Sequence, residues 1–490
     1  MALLSIEFFV FLLATAAVYY LCPIKCRFAV LFAASTYYYI VTAGRDAALV
    51  FLGYLLIFVA GAALLGRIRE GHWLRRVIYW FCILLSVGGL LFFNYINPLK
   101  LATPLGMSFW MVIGIGFLTD VYWGTVKEKT GIFKPALLLG FFPLMTSGPI
   151  VRYKETAQDI CGGHKFDYER VTFGIQRIVW GCFKKLVISE RLAVIVNTVY
   201  GDYNAYPGFY IILAMCCFSL QLYTDFSGCM DIVLGAADVF GITLPENFET
   251  PFFSKNVSEF WRRWHITLGI WLKEYVLYPV LHSGIFRKFK KACKKALGKK
   301  WGERIPLYTG MFISWFLIGY WHGGTWNYIF GVGLWFWFVI VSGEILTPLF
   351  HKLAQVLRVN RECFSYKLFQ CLRTFAIVSV GLAFFRAPGA KEGVRILMAV
   401  GKEWNPYVLF GQNILTLGLD LPDFIVTIAG CLALLVVSIL QYRGGSVRKQ
   451  LAKQNLVFRW AVYLVLFFAV IIWGKYGAQY NAADFIYQGF

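Results

Sequence analysis

Charge is scarce in this 490-residue chain, and acid is scarcer than base: 26 Asp and Glu stand against 47 Lys and Arg, and charged residues make up 15% of the whole. Apolar side chains make up 59% and mean hydropathy is +0.63, more apolar surface than a soluble domain of this size can hide from water. The twelve cysteines include no Cys-x-x-Cys pair, which argues against a structural zinc or dithiol redox site. Many of them lie inside apolar runs, so reduced, structural thiols are expected. There is no Gly-x-Ser-x-Gly elbow to carry a serine nucleophile. No internal repeat, Gly/Ser linker or low-complexity tract divides the chain, so a single membrane domain over 1–490 is the simplest organisation. Residues 1–21 lack a basic n-region, carry Glu7 early and end without a small-residue cleavage site; they are expected to stay as a first membrane span.

What is present is membrane-like. Aromatics reach 19%, with 46 Phe, 28 Tyr and 17 Trp, as suits lipid-facing helices with Trp and Tyr at the headgroup level. The net charge of +21 would suggest nucleic acid in a soluble protein, but here Lys and Arg gather in short stretches between apolar runs, so no nucleic-acid partner is expected. By the positive-inside rule, Arg67–Arg76, Arg152–Arg191, Arg287–Arg304, Lys352–Arg373 and Arg443–Arg459 are expected as cytoplasmic loops of a multi-pass cell-membrane protein. Asp202–Tyr206 and Lys402–Asp423 belong on the opposite side.

Apolar runs long enough to cross hydrocarbon fall near 3–21, 28–43, 46–66, 76–95, 106–125, 132–149 and 171–198. Further ones fall near 208–223, 226–242, 306–322, 325–346, 370–386, 424–441 and 457–474. Pro143 and Pro149 break one run, and Gly323-Gly324 separates two others. Re-entrant or half helices are expected there, because exposed backbone at membrane depth is tolerated only where protein or water covers it.

Two segments carry candidate chemistry. From Ser254 to Val280 the chain is helical by pattern but too charged to span. Asn256 and Glu259 give a capping-box-like start. Trp261, Trp264, His265, Leu268, Leu272 and Tyr275 then recur at i, i+3, i+4 spacing, with Arg262, Arg263 and Lys273 elsewhere on the wheel, as in an interfacial helix. The plainer reading of this stretch is an amphipathic anchor with cation–π contacts. The second segment runs from Ser314 to Asn327. His322 ends an apolar helix, Gly323 stands where a left-handed C-cap would, and Thr325 is a natural N-cap for the next helix. An ionisable side chain at a helix break inside the membrane is a functional candidate, the alternative being a neutral histidine packed in a core. His72, His164, His282 and His351 lie in or beside basic or amphipathic stretches and are weaker candidates.

At these segments the chain resembles the membrane-bound O-acyltransferases, in the bacterial branch that holds alginate and peptidoglycan O-acetylases and teichoic-acid D-alanyl transferases. The resemblance runs through Tyr223-Thr-Asp-Phe-Ser-Gly-Cys-Met-Asp231, Asn247-Phe, Glu259-Phe-Trp-Arg-Arg-Trp-His265, Trp321-His322-Gly323, Phe384-Phe-Arg-Ala387 and Asp484-Phe-Ile-Tyr487. It implies an all-α polytopic bundle with re-entrant and interfacial helices, in which a cytoplasmic acyl thioester and an acceptor on the far side meet in a thin central region. It also implies His322 as the catalytic histidine and His265 as the second signature residue. Trp261, Arg262, Arg263, Trp264, Asp225, Asp231, Trp321 and Asn327 are supporting or substrate-binding candidates. For Asp225 the alternative is helix packing with an ion pair to Arg262 or Arg263. Two departures concern the acceptor: Tyr278-Pro-Val-Leu-His-Ser-Gly284 stands where the alginate branch usually has Pro-Leu-Gly-Gly-Asn-Arg, and Cys229-Met230 replaces Tyr-Ser.

The expected reaction moves an acyl group, acetyl first, from a thioester such as acetyl-coenzyme A to hydroxyls of a cell-surface polysaccharide. His322 would act as general base, and His265 would orient the donor or polarise its carbonyl. No permanently bound cofactor or metal is expected. Expected partners are membrane lipid, the coenzyme A thioester or carrier-protein donor, the polysaccharide, and a secreted SGNH-type acyltransferase. The Arg287–Arg304 run would hold coenzyme A phosphates or an acidic carrier, or would simply mark the cytoplasmic side. D-alanyl transfer to teichoic acid is the alternative within the class. A transporter or flippase is the alternative outside it, and that reading expects an internal two-fold similarity which the sequence lacks.

Overall fold

The computed structural model describes residues 1–96, 103–126 and 131–476. The Asp484–Tyr487 motif lies outside the described residues. Within them the chain is helical, the only strand-like feature being an isolated antiparallel bridge between Phe248 and Trp264. Among the described residues, seven helices are long and apolar enough to cross a membrane: Arg45–Arg67, Trp73–Ile96, Phe209–Val239, Trp326–Val356, Phe364–Arg386, Leu421–Tyr442 and Leu456–Trp473. The protein is therefore a multi-pass helical membrane protein. Such helices satisfy their backbone internally, and polar caps close their ends. Ser5, Asp167, Asp420 and Asn455 each accept a hydrogen bond from the backbone N–H three residues on. The outward faces are apolar: Leu456–Trp473 exposes Val457, Trp460, Val465 and Ile472, a pattern suited to lipid rather than water.

The described residues pack into two compact units, one from 1–186, 225–246 and 448 onward, the other from 187–224 and 247–447. Phe209–Val239 contributes to both. It is one continuous helix, where the sequence suggested two spans meeting at Thr224-Asp225. The polar Thr-Asp step reads as a break because its partners are distant in sequence.

In the first unit, Tyr168–Cys182 and the 225–239 stretch approach through glycines. A Cβ on Gly181 would lie 2.6 Å from the Gly228 carbonyl oxygen, and one on Gly235 would lie 2.5 Å from that of Gly174. Small residues at this spacing let two membrane helices come close. The close approach places cations beside carboxylates. Lys185 Nζ lies 2.5 Å from Asp225, Lys184 Nζ 2.6 Å from Asp231 and 2.9 Å from Ser227 Oγ, and Arg177 Nε 2.8 Å from Asp231. Asp225 thus pairs with Lys185 rather than with Arg262 or Arg263. Arg177, Lys184, Lys185 and Arg191 lie in helical backbone with little exposure, so the middle of Arg152–Arg191 is not the basic loop expected from the charge pattern. None of the twelve cysteines is in a disulfide.

Candidate active site

The second unit holds both candidate histidines. Val257–Arg263 starts as expected, with Asn256 Oδ1 accepting from Glu259 N–H at 2.8 Å and Glu259 Oε2 accepting from Lys255 N–H at 2.9 Å. The helix then stops. Trp264 is extended and His265 adopts left-handed backbone (φ 48°, ψ 50°) before a new helix, Ile266–Leu272, begins. One amphipathic helix through His265 is therefore replaced by two, and Trp264 and His265 are buried instead of lying on an interface.

The cause is tertiary. Residues 247–249 run antiparallel to 263–266: Glu249 N–H donates to the Arg263 carbonyl at 2.9 Å and Ile266 N–H to the Asn247 carbonyl at 3.0 Å. A left-handed conformation at a residue with a side chain costs about 1–2 kcal/mol, and this bridge holds it. The Asn247 side chain completes the clamp. Its Oδ1 lies 3.1 Å from Thr267 N, 2.9 Å from Thr267 Oγ1 and 3.2 Å from His265 Nδ1.

Gly284–Trp321 is two helical segments that meet at a kink at Gly298 (φ 75°, ψ 176°), and His322 ends the second of them at φ −74°, ψ 1°. Gly323 (φ 144°) and Gly324 (φ 68°) then turn the chain, both at positive φ that favours glycine. Thr325 occupies the N-cap position, but its hydroxyl donates to Asn327 Oδ1 at 2.6 Å instead of capping. Asn327 Nδ2 donates to the Ala387 carbonyl at 3.0 Å, which ties the turn after His322 to the end of Phe364–Arg386. Beyond the turn, Gly331 packs on the Gly381 carbonyl and Gly333 on that of Trp315; a Cβ at either would come within 2.6 Å. The break at His322 is thus anchored to the helices on both sides.

Trp321 neighbours both histidines, its ring centroid 6.3 Å from that of His265 and 4.8 Å from that of His322. Phe385 lies 5.9 Å from His322 and 5.1 Å from Tyr328. Both histidines are almost fully enclosed, at 2% and 1% exposure. His265 lies outside the seven candidate spans. Burial, assisted by nearby His322, holds its imidazole well below the usual range and so neutral at ordinary pH.

The other candidates divide. Trp264 packs on Tyr223, Phe248, Phe252 and Phe260, and Trp261 on Trp315 and Phe336, so both are wall residues. Arg263 pairs with Glu259 at 3.1 Å and covers Tyr442, while Arg262 is exposed. Asp225 and Asp231 belong to the ion pairs of the first unit. Among the described residues no group of His, Cys, Asp and Glu is arranged to hold a metal. Sequence reasoning missed the role of Asn247, quoted only as part of Asn247-Phe; nothing local marks it, because its partners are 18 and 20 residues away. Buried imidazoles at helix breaks, with aromatic rings beside them, suit proton transfer in a dry site.

Residues 137–297 match the membrane-bound O-acyltransferase family. The chain is 28% identical over 286 residues to the probable alginate O-acetylase of Pseudomonas syringae, covering 58% of this chain and 49% of that protein. It is 26% identical to the peptidoglycan O-acetyltransferase of Helicobacter pylori, with 62% and 58% covered. It is 32% identical to the teichoic acid D-alanyltransferase of Bacillus subtilis, with 47% and 57% covered. The chain thus spans about half the length of these relatives.

Proposed function

We propose, from the match of residues 137–297 to the membrane-bound O-acyltransferase family, that the chain is an O-acyltransferase of the cytoplasmic membrane. It moves an acetyl group from a cytoplasmic thioester, acetyl-coenzyme A or a carrier charged from it, to hydroxyls of an exported or cell-surface polysaccharide. The observation that carries this reading is the burial of His265 and His322 with Trp321 as a common neighbour, each at a break between helices.

A thioester is already activated, so the site needs a base, alignment and exclusion of water rather than a covalent nucleophile. The acceptor oxygen bonds to the acyl carbon as the carbon–sulfur bond breaks. His322 takes the hydroxyl proton and passes it to the departing thiolate. Trp261, Trp264 and Trp321 wall the site, and Asn327 fixes the turn that presents His322. A secreted SGNH-type acyltransferase fits as a partner that receives the acyl group or directs it on the polymer.

Identity to the Bacillus subtilis protein, the highest of the three relatives, favours D-alanyl transfer from a carrier protein to teichoic acid as the second reading. Cells expressing the chain and fed labelled acetate should carry the label as alkali-labile ester on envelope polysaccharide. Labelled D-alanine in that ester, with no acetate, would overturn acetyl transfer in favour of the second reading.

A further inference from the structure

Asn247 does more than staple two pieces of backbone. Its side-chain atom nearest His265 Nδ1, at 3.2 Å, also lies 3.1 Å from the backbone nitrogen of Thr267. A backbone N–H can only donate, so that atom is the amide oxygen, and Thr267 Oγ1 at 2.9 Å donates to it as well. The imidazole nitrogen facing the same oxygen must therefore carry a proton. In a neutral ring the lone pair is then on Nε2. The left-handed backbone at His265 and the Ile266 N–H bond to the Asn247 carbonyl hold the ring against this one oxygen.

We propose that Asn247 is a positioning residue that locks His265 in the tautomer whose Nε2 accepts a hydrogen bond, so that His265 orients a hydroxyl of the acceptor instead of polarising the acyl carbonyl. The proposal rests on the acyl-transfer reading and moves His265 from the acyl donor, which it was expected to orient or polarise, to the acceptor. It also assigns a substrate property: the group that docks at His265 is itself a hydrogen-bond donor, as a sugar or polyol hydroxyl is and a thioester carbonyl is not. The titratable groups on the elements packed around the ring are His322, which shares Trp321 as a neighbour, Tyr223 against Trp264, and Glu249, Glu259, Arg262 and Arg263. Of these, Arg263 and Glu259 are paired with each other.

Two substitutions separate the tautomer lock from mere support. Asn247→Asp keeps an oxygen acceptor for all three donors and adds a negative charge beside Nδ1–H, which favours imidazolium. Asn247→Leu keeps the bulk and removes the acceptor. The assay uses membrane vesicles containing the full chain, supplied with acetyl-coenzyme A labelled in the acetyl group, and counts alkali-labile label on the envelope polymer across a range of pH. Asn247→Leu should lose roughly 10- to 100-fold, the range for a group that fixes a working imidazole. Asn247→Asp should keep most of the rate at its optimum, while the acid limb of its profile moves up by roughly 1–3 pH units, because His265 now protonates, and stops accepting, at higher pH. If Asn247→Leu does not accumulate in the membrane, the Asn247→Asp profile decides alone. An unshifted acid limb in Asn247→Asp, with His322→Ala inactive in the same assay, would overturn this proposal and leave the acyl-transfer reading standing. A wild-type rate in His322→Ala would instead remove the reading on which it rests.

Discussion

In the first unit Lys185 and Asp225 face each other at 2.5 Å with almost no exposure, and Lys184, Arg177 and Asp231 form a second such group. In the second unit the candidate site holds two buried imidazoles, each at a helix break, with Trp321 beside both and Phe385 beside His322. Both clusters are polar, buried and part of the quoted motifs, yet they differ in what they can do. An ion pair at hydrogen-bond distance uses its charges on itself. A neutral imidazole that donates to Asn247 through one nitrogen carries an acceptor lone pair on the other. Burial alone therefore does not mark a site; how the polar capacity is already committed does.

That contrast can be broken most forcefully at Asp225. Asp225→Leu removes the carboxylate facing a buried ammonium and should cost about 3–5 kcal/mol, read as loss of folded protein in detergent on heating. The double substitution Lys185→Met/Asp225→Leu should recover most of that loss, because it removes both charges. If the single variant is as stable as wild type, the pair is not the structural element described. A smaller effect is expected at the glycine crossing that brings the charges together. A Cβ at Gly181 would fall 2.6 Å from a backbone oxygen, so Gly181→Ala should cost about 1–3 kcal/mol. The same thermal assay checks it, and an unchanged midpoint would mean that the helices can separate at little cost.

Legibility from sequence follows the same division. The membrane class, the apolar helices, the Asn256 cap and the break after His322 rest on local signals, namely hydropathy, a side chain three residues from its partner and a glycine pair. The sequence therefore carries them. The break at Trp264-His265 could not be read, since the i, i+3, i+4 pattern runs straight through it. The interruption comes from residues 247–249, and no periodicity within 254–280 encodes a partner outside it. Lys184 and Lys185 read as loop charges for a similar reason: their carboxylates, Asp231 and Asp225, are 47 and 40 positions away on another helix. The pairing of His265 with His322 came from the family resemblance, and their common neighbour Trp321 from the fold.

The central claim, that the enclosed imidazole of His322 moves the proton during acyl transfer, is tested most directly by removing it and nothing else. His322 sits at a helix end whose turn is made by Gly323 and Gly324, so His322→Ala leaves the backbone requirement untouched. The purified protein should be present at wild-type levels and monodisperse, while ester formation falls by at least ~10²-fold, the low end for a lost general base. His322→Gln, polar and of similar size, should be equally inactive. Ester formation at the wild-type rate in folded His322→Ala would contradict the account.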